Sequence, residues 1–315
     1  MGKWQEMSKE ELETQYSPSR WSSRMTGDAI IEAHIQVTSE VTQAAQAATQ
    51  TLLSVPYGLG EGEKLDIYIP KVHSETFPLV LYFHGGYWQA LSKDVSGFAA
   101  LPLVTHGIAL AVADYTIAPK GQIDMMVKQV RKSVAFAVQQ YTGISGVYLL
   151  GHSAGAQLAA MVLSTDWAEY GVVPNIKGVF LVSGIYDLEP IIHTYVNDVL
   201  HMTREVALQN SPLQCVPTLG NKKTCQLLIV VAQHDSPEFR RQSLEYLEVE
   251  GTCCYLVNTV GIPLASPIGT PSSWLEFLPV GHRRERSFRC NREAFPGGLS
   301  SHTGDLEHDF QKLTR

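Results

Sequence analysis

Apolar residues recur along this chain with two different periods, and the switch between them marks out the elements. Lys64-Leu65-Asp66-Ile67-Tyr68-Ile69-Pro70 alternates polar and apolar positions, as a strand with one face on a core does. Leu79-Val80-Leu81-Tyr82-Phe83 is a short unbroken apolar run, which fits a strand buried on both faces. The stretches 108–113, 146–150, 179–182 and 227–231 repeat that kind of run. Between them the period lengthens. Ile123, Met126, Val127, Val130, Val134 and Val138 fall at helical spacing within 122–141, and 154–163 reads as a second helix. Strands alternating with helices in this way predict an α/β fold with a mostly parallel central sheet flanked by helices.

The ends of the chain lack this order. Residues 1–60 are polar and are expected to be an N-terminal segment, helical in part and otherwise irregular; Glu40 to Leu52 is rich in Ala, Gln and Thr without Pro or Gly. The sheet needs only one domain, over residues 61–260, with a last strand expected between Thr252 and Val260. Beyond it Pro263, Pro267, Gly269, Pro271, Pro279, Gly281, Pro296, Gly297 and Gly298 are too dense for a long helix or regular strand. An irregular, atypical tail is expected over 261–315.

Composition narrows the class of partner. Of 315 residues 44% are hydrophobic, enough for a sizeable core, and a formal net charge of −7 argues against nucleic acid as a ligand. Arg283, Arg284, Arg286 and Arg289 form a basic cluster too short to reverse that reading, and fit a solvated tail. No apolar run approaches the roughly 18 residues of a membrane span, so no membrane association is expected. No secretory signal is apparent after Met1, and Glu6 stands where a myristoylation motif needs Ser or Thr. The five cysteines, Cys215, Cys225, Cys253, Cys254 and Cys290, are odd in number and lack metal-site spacing. They read as reduced thiols of a cytosolic protein, with Cys253-Cys254 as small apolar residues of a strand.

Three motifs carry chemistry. Gly151-His152-Ser153-Ala154-Gly155 fits the G-x-S-x-G pattern, and it lies between a buried strand and a helix. A serine there is presented on a sharp turn as a nucleophile, and the N–H of Ala154 at the helix start is an oxyanion donor. His84-Gly85-Gly86-Tyr87-Trp88 follows the strand ending at Phe83. Its glycines let backbone N–H groups approach a substrate, so Gly85 and Gly86 are candidate oxyanion donors, and His84 is a loop-organising residue rather than a base. Tyr87 and Trp88 either pack near the leaving group of a substrate or pack into the core.

The acid is Asp235, in Gln233-His234-Asp235-Ser236-Pro237 after a late strand; Asp187, one strand earlier, is the rival. The base should be a histidine beyond Asp235, in the loop after the next strand. Residues 261–270 contain none, and His282, His302 and His308 remain, with His282 the first candidate. No metal or cofactor is called for.

Taken together these residues resemble the kynurenine formamidase (arylformamidase) family of the α/β-hydrolase superfamily. The resemblance runs from about residue 10 to 250. It is carried by Tyr16-Ser17-Pro18-Ser19-Arg20-Trp21, the His84–Trp88 motif, Ala113-Asp114-Tyr115-Thr116-Ile117-Ala118-Pro119, the elbow run from Gly151 to Ala160, Ser183-Gly184-Ile185-Tyr186-Asp187-Leu188-Glu189-Pro190 and His234-Asp235-Ser236-Pro237-Glu238-Phe239. It implies hydrolysis of N-formyl-L-kynurenine to L-kynurenine and formate in tryptophan breakdown, by an enzyme without a metal. It also implies a cytoplasmic and nuclear location and, often, a homodimer. Ser153 and Asp235 match the family's nucleophile and acid. The family's closing strand, Val-Asp-His-Phe-type loop with the base, and final helix have no counterpart after about residue 250. Two alternatives therefore stay open: a broader carboxylesterase of the same fold, and a non-catalytic isoform that lacks the triad histidine.

Overall fold

The computed structural model describes residues 3–71, 76–215, 225–250 and 254–259. The chain divides after Gly261 into two units, and every described residue belongs to the first. The tail over 261–315, with His282, His302 and His308, lies outside the described residues.

In chain order the main elements are α1 (Lys9–Gln15), α2 (Gly27–Ala48), β1 (Gln50–Pro56), β2 (Lys64–Ile69), β3 (Phe77–Phe83), α3 (Ala100–Thr105), β4 (Ala109–Ala113) and α4 (Ile123–Gln140). They continue with β5 (Ile144–His152), α5 (Ala154–Leu163), β6 (Ile176–Val182), β7 (Gln226–Ala232), α6 (Pro237–Glu250) and β8 (Cys254–Thr259). Short helical turns occupy residues 190–215 of the long connection between β6 and β7.

The strands form one sheet in the order β1-β2-β4-β3-β5-β6-β7-β8. β1 and β2, and β2 and β4, pair antiparallel, and every pairing from β4 through β8 is parallel. The order reverses around β3: the chain leaves β3 for β4 on one side, and leaves β5 for β6 on the other. In a parallel sheet the loops at such a point diverge and leave a crevice beyond the carboxyl ends of the strands. That crevice lies after Phe83 and His152, where the two glycine motifs sit.

Alternation along the strands sends residues to two cores. Leu79, Leu81, Phe83, Val147, Leu149, Val179, Leu181, Leu227 and Ile229 are buried on one face, against α4, α5 and α6. Val80, Tyr82, Leu110 and Val112 point the other way and meet Ala45 of α2 and Ala100 of α3. Helix starts follow capping chemistry. Ser8 Oγ accepts from Glu11 N at 3.2 Å, Thr26 Oγ1 from Ala29 N at 3.4 Å, and Ser236 Oγ from Phe239 N at 3.3 Å with Pro237 opening α6.

β1, α3 and α6 were not read from the pattern, and α2 only in part. β1 is largely exposed along its length, so it carries no buried run or clean alternation. α2 begins well before the Ala-rich stretch that hinted at it, because most of its surface faces solvent and the apolar stripe is narrow.

Candidate active site

Ser153 is the first residue after β5 and caps α5 with φ 56° and ψ −119°. A side chain at positive φ is held against its own preference, and surrounding packing must impose the turn. The flanking glycines show how tightly it is imposed. A Cβ on Gly155 would lie 2.0 Å from the carbonyl oxygen of Phe83, and one on Gly151 would lie 2.2 Å from that of Gly155. α5 therefore starts directly against the end of β3. Ser153 N–H donates to Val182 O at 2.8 Å, which ties the turn to β6. Ala154 follows as the first residue of α5, where backbone N–H groups have no acceptor within the helix.

The loop after β3 touches this turn. A Cβ on Gly85 would come within 2.9 Å of His152 O and 3.1 Å of Ser153 Cβ, so only glycine lets the loop pass this close. Gly86 has φ 99°, and Tyr87, Trp88 and Leu91 are also left-handed. His84 is fully buried. Its Nδ1 lies 2.9 Å from Gly85 O, its ring stacks on Tyr115 at 4.3 Å, and its carbonyl accepts from the Tyr115 hydroxyl at 2.8 Å. Nε2 is 3.4 Å from Asp114 Oδ1 without hydrogen-bond geometry. These contacts all shape the loop from behind.

Trp88 packs into the core with none of its surface exposed, and its indole N–H donates to Gln157 Oε1 at 3.0 Å. Tyr87 is half-buried and donates its hydroxyl to Tyr16 O at 2.7 Å. Of the two alternatives for this pair, packing into the fold describes Trp88 fully.

Asp235 lies just beyond β7. Its Oδ2 accepts from the Ser183 hydroxyl at 2.7 Å and from Ala232 N–H at 2.7 Å. Burial raises its pKa, opposed by these two bonds and by Arg240. Ser183, at φ 48° after β6, was not singled out from sequence as a site residue. Its only signal was its place in the Ser183-Gly184 run at a strand end. Asp187 is held differently: its Oδ1 accepts from Glu189 N–H at 3.0 Å, and its backbone is bound at both N–H and C=O by the Gln242 amide of α6. Burial raises its pKa as well.

The structure thus gathers Gly85, Gly86, Ser153 and Ala154 at the carboxyl ends of β3 and β5, and sets Asp235 at the end of β7, two strands over. At the usual strand spacing that is about 10 Å, a gap an imidazole with a hydrogen bond on each side can bridge.

His152 is half-buried beside this serine, and its ring centroid is 6.3 Å from that of His34 on α2. Burial, with a smaller effect from His34, pushes its pKa down to about 4, so it is neutral at pH 7. A separate hollow of about 200 Å³ lies under the end of α4, lined by apolar residues including Leu65, Ile67, Leu79, Ala109, Ala111 and Tyr141. It has no polar lining and contains none of the site residues, so it is not where the chemistry lies.

The sheet order, the left-handed serine turn and the glycine loop against it define an α/β-hydrolase. Residues 65–212 match the BD-FAE family model. The kynurenine formamidase of Danio rerio is 60% identical over 247 residues, covering 78% of this chain and 84% of the relative. That of Salmo salar is 59% identical with the same coverage. The crystal structure of the thermophilic carboxylesterase EstE1, cloned from a metagenomic library, superposes with a TM-score of 0.59 at 19% identity, covering 76% of this chain and 89% of the other. The last is a likeness of fold. The chain belongs to the kynurenine formamidase family. Among the described residues no helix is long and apolar enough to cross a membrane.

Proposed function

We propose that this chain is a serine hydrolase that cleaves the formamide of N-formyl-L-kynurenine, giving L-kynurenine and formate in tryptophan catabolism. The observation that carries the reading is the contact of Gly85 with Ser153, which sets an oxyanion loop against a nucleophile. Relatives named kynurenine formamidase at 60% and 59% identity support the substrate. Ser153 Oγ attacks the formyl carbon, and its proton passes to a histidine steadied by Asp235. The N–H groups of Gly85, Gly86 and Ala154 hold the oxyanion. The C–N bond breaks as the proton reaches the leaving amine, and water then hydrolyses the formyl ester to formate and free Ser153. Formyl is the smallest acyl group, so the close-packed glycine loop costs nothing on the acyl side.

The base is a histidine of the segment beyond Asp235, with His282 the first candidate. The family resemblance further supports a homodimer located in the cytoplasm and nucleus. A second reading is favoured by one observation: residues 236–270 contain no histidine. A chain without the base would keep the fold and bind ligand without turnover, since removing the base of a triad costs on the order of a millionfold. Formate release from N-formyl-L-kynurenine by the parent, Ser153→Ala and His282→Ala separates the two. An active parent with both variants dead supports the enzyme with His282 as base. A parent no faster than Ser153→Ala supports the non-catalytic form.

A further inference from the structure

One face of α2 runs Ile31, Ile35, Thr38, Thr42, Ala45, at alternating spacings of four and three. Its two ends differ. Thr42 and Ala45 are fully buried, and Thr42 Oγ1 accepts from Gly97 N–H at 3.0 Å. Ile31 and Ile35 are on the same face two to three turns earlier, yet they are 49% and 40% exposed. This face is core at one end and open to solvent at the other.

His34, between the two isoleucines in sequence, shows what this exposed end lies beside. Its ring is 6.3 Å from that of His152, the residue before Ser153. His152 Nδ1 in turn lies 3.2 Å from where a Cβ on Gly85 would be. The bare end of α2 therefore stands beside the serine turn and the glycine loop. The aromatic residues nearest in sequence to that loop do not supply an open apolar surface. Trp88 is wholly buried, and the Tyr87 hydroxyl is bound to the Tyr16 carbonyl.

We propose that Ile31 and Ile35 of α2 form the wall against which the aromatic leaving-group half of the substrate packs. The identity of the ligand, an aryl formamide, rests on the function proposed above; the wall rests on the helix. Covering the exposed parts of two isoleucines with an aromatic ring is worth about tenfold in affinity.

The test is calorimetric binding of N-formyl-L-kynurenine to the full chain carrying Ser153→Ala, which removes turnover. Ile31→Ser/Ile35→Ser is compared with Val37→Ser, equally exposed but off this face. All three positions are at the surface, so each variant folds. The expected result is a Kd raised about tenfold by the double variant and unchanged by Val37→Ser. Equal affinity with and without the double substitution overturns the proposal. So does an equal loss in Val37→Ser, or no binding by the Ser153→Ala chain. Formate release by the parent is measured alongside. No release with isoleucine-dependent binding removes the hydrolase reading and keeps the wall. Release with binding indifferent to the isoleucines does the reverse.

Discussion

Ser183 donates its hydroxyl to Oδ2 of Asp235 across 2.7 Å, from the end of β6 to the loop after β7. A second donor, Ala232 N–H, reaches the same oxygen at 2.7 Å. Both hold the carboxylate by one edge and fix the direction its other oxygen faces. Ser183→Ala leaves the charge in place but removes one of these holds. If the chain turns over, kcat should fall roughly tenfold or more while KM changes little, because a hydrogen bond to a charged group is worth about 1.5–3 kcal/mol. Steady-state kinetics of formate release check this, and an unchanged kcat would separate Ser183 from the acid's function.

The two candidate acids make opposite predictions. Asp187 spends its carboxylate on Glu189 N–H, inside its own loop. Asp187→Asn should therefore leave kcat within about threefold, since an amide oxygen accepts the same bond. Asp235→Asn should lower kcat by about 10⁴-fold, the loss seen when a triad acid becomes an amide. Reversed ranks in a turnover assay would transfer the role to Asp187.

Gly155→Ala tests the packing that creates the serine turn. The new methyl would lie 2.0 Å from Phe83 O and 2.6 Å from His84 O, both backbone atoms. Neither can move without parting α5 from β3. A loss of about 3 kcal/mol is expected in urea titration. Reaction of Ser153 with a fluorophosphonate should slow in the folded variant, because the glycine loop is displaced with it.

His152 makes stability depend on pH with a known sign. Its folded pKa is about 4, while the unfolded chain takes up that proton near pH 6.5. Between these values the unfolded state binds more protons, so stability falls as pH drops through the window and levels off below it. For a half-buried ring the loss is on the order of 1–2 kcal/mol. Buried Asp66 and half-buried Asp187 and Asp235, with raised pKa values, act in the opposite sense at the acid end. Comparing parent and His152→Gln isolates the histidine: the variant should lose less stability between about pH 7 and about pH 4.5 in urea titrations. Parallel loss in both would remove His152 as the cause.

How much of this was legible in the sequence depended on where each residue is buried. The run at Leu79–Phe83 and the helix at 154–163 could be read because both faces of that strand, and all of α5, are covered, and the run at Leu227–Val231 because Leu227, Ile229 and Val231 are buried on one face. β1 has no such cover and left no pattern. Ser153 and Gly85 were legible because a left-handed serine and a loop in contact with it need glycine at fixed offsets. Ser183 was not. Its partner Asp235 is 52 residues away, and nothing in the local sequence records a hydrogen bond formed only when β6 and β7 pair. The bare end of α2 was hidden for the same reason: a helical stripe records that a face is apolar, not whether anything lies beneath it.

The apolar hollow beneath the end of α4 has a mechanical consequence. Its lining is almost wholly apolar, so water held there makes few hydrogen bonds to the protein. Loosely packed space of this kind is volume that unfolding eliminates, and hydrostatic pressure favours the smaller state. Leu65 and Ile67 line it from β2, next to the antiparallel edge where β1 is nearly bare. Phe77, Leu79, Ala109, Ala111 and Ile144 line it from the amino ends of β3, β4 and β5, so compression should loosen the end of the sheet opposite to the one that carries Ser153 and Asp235.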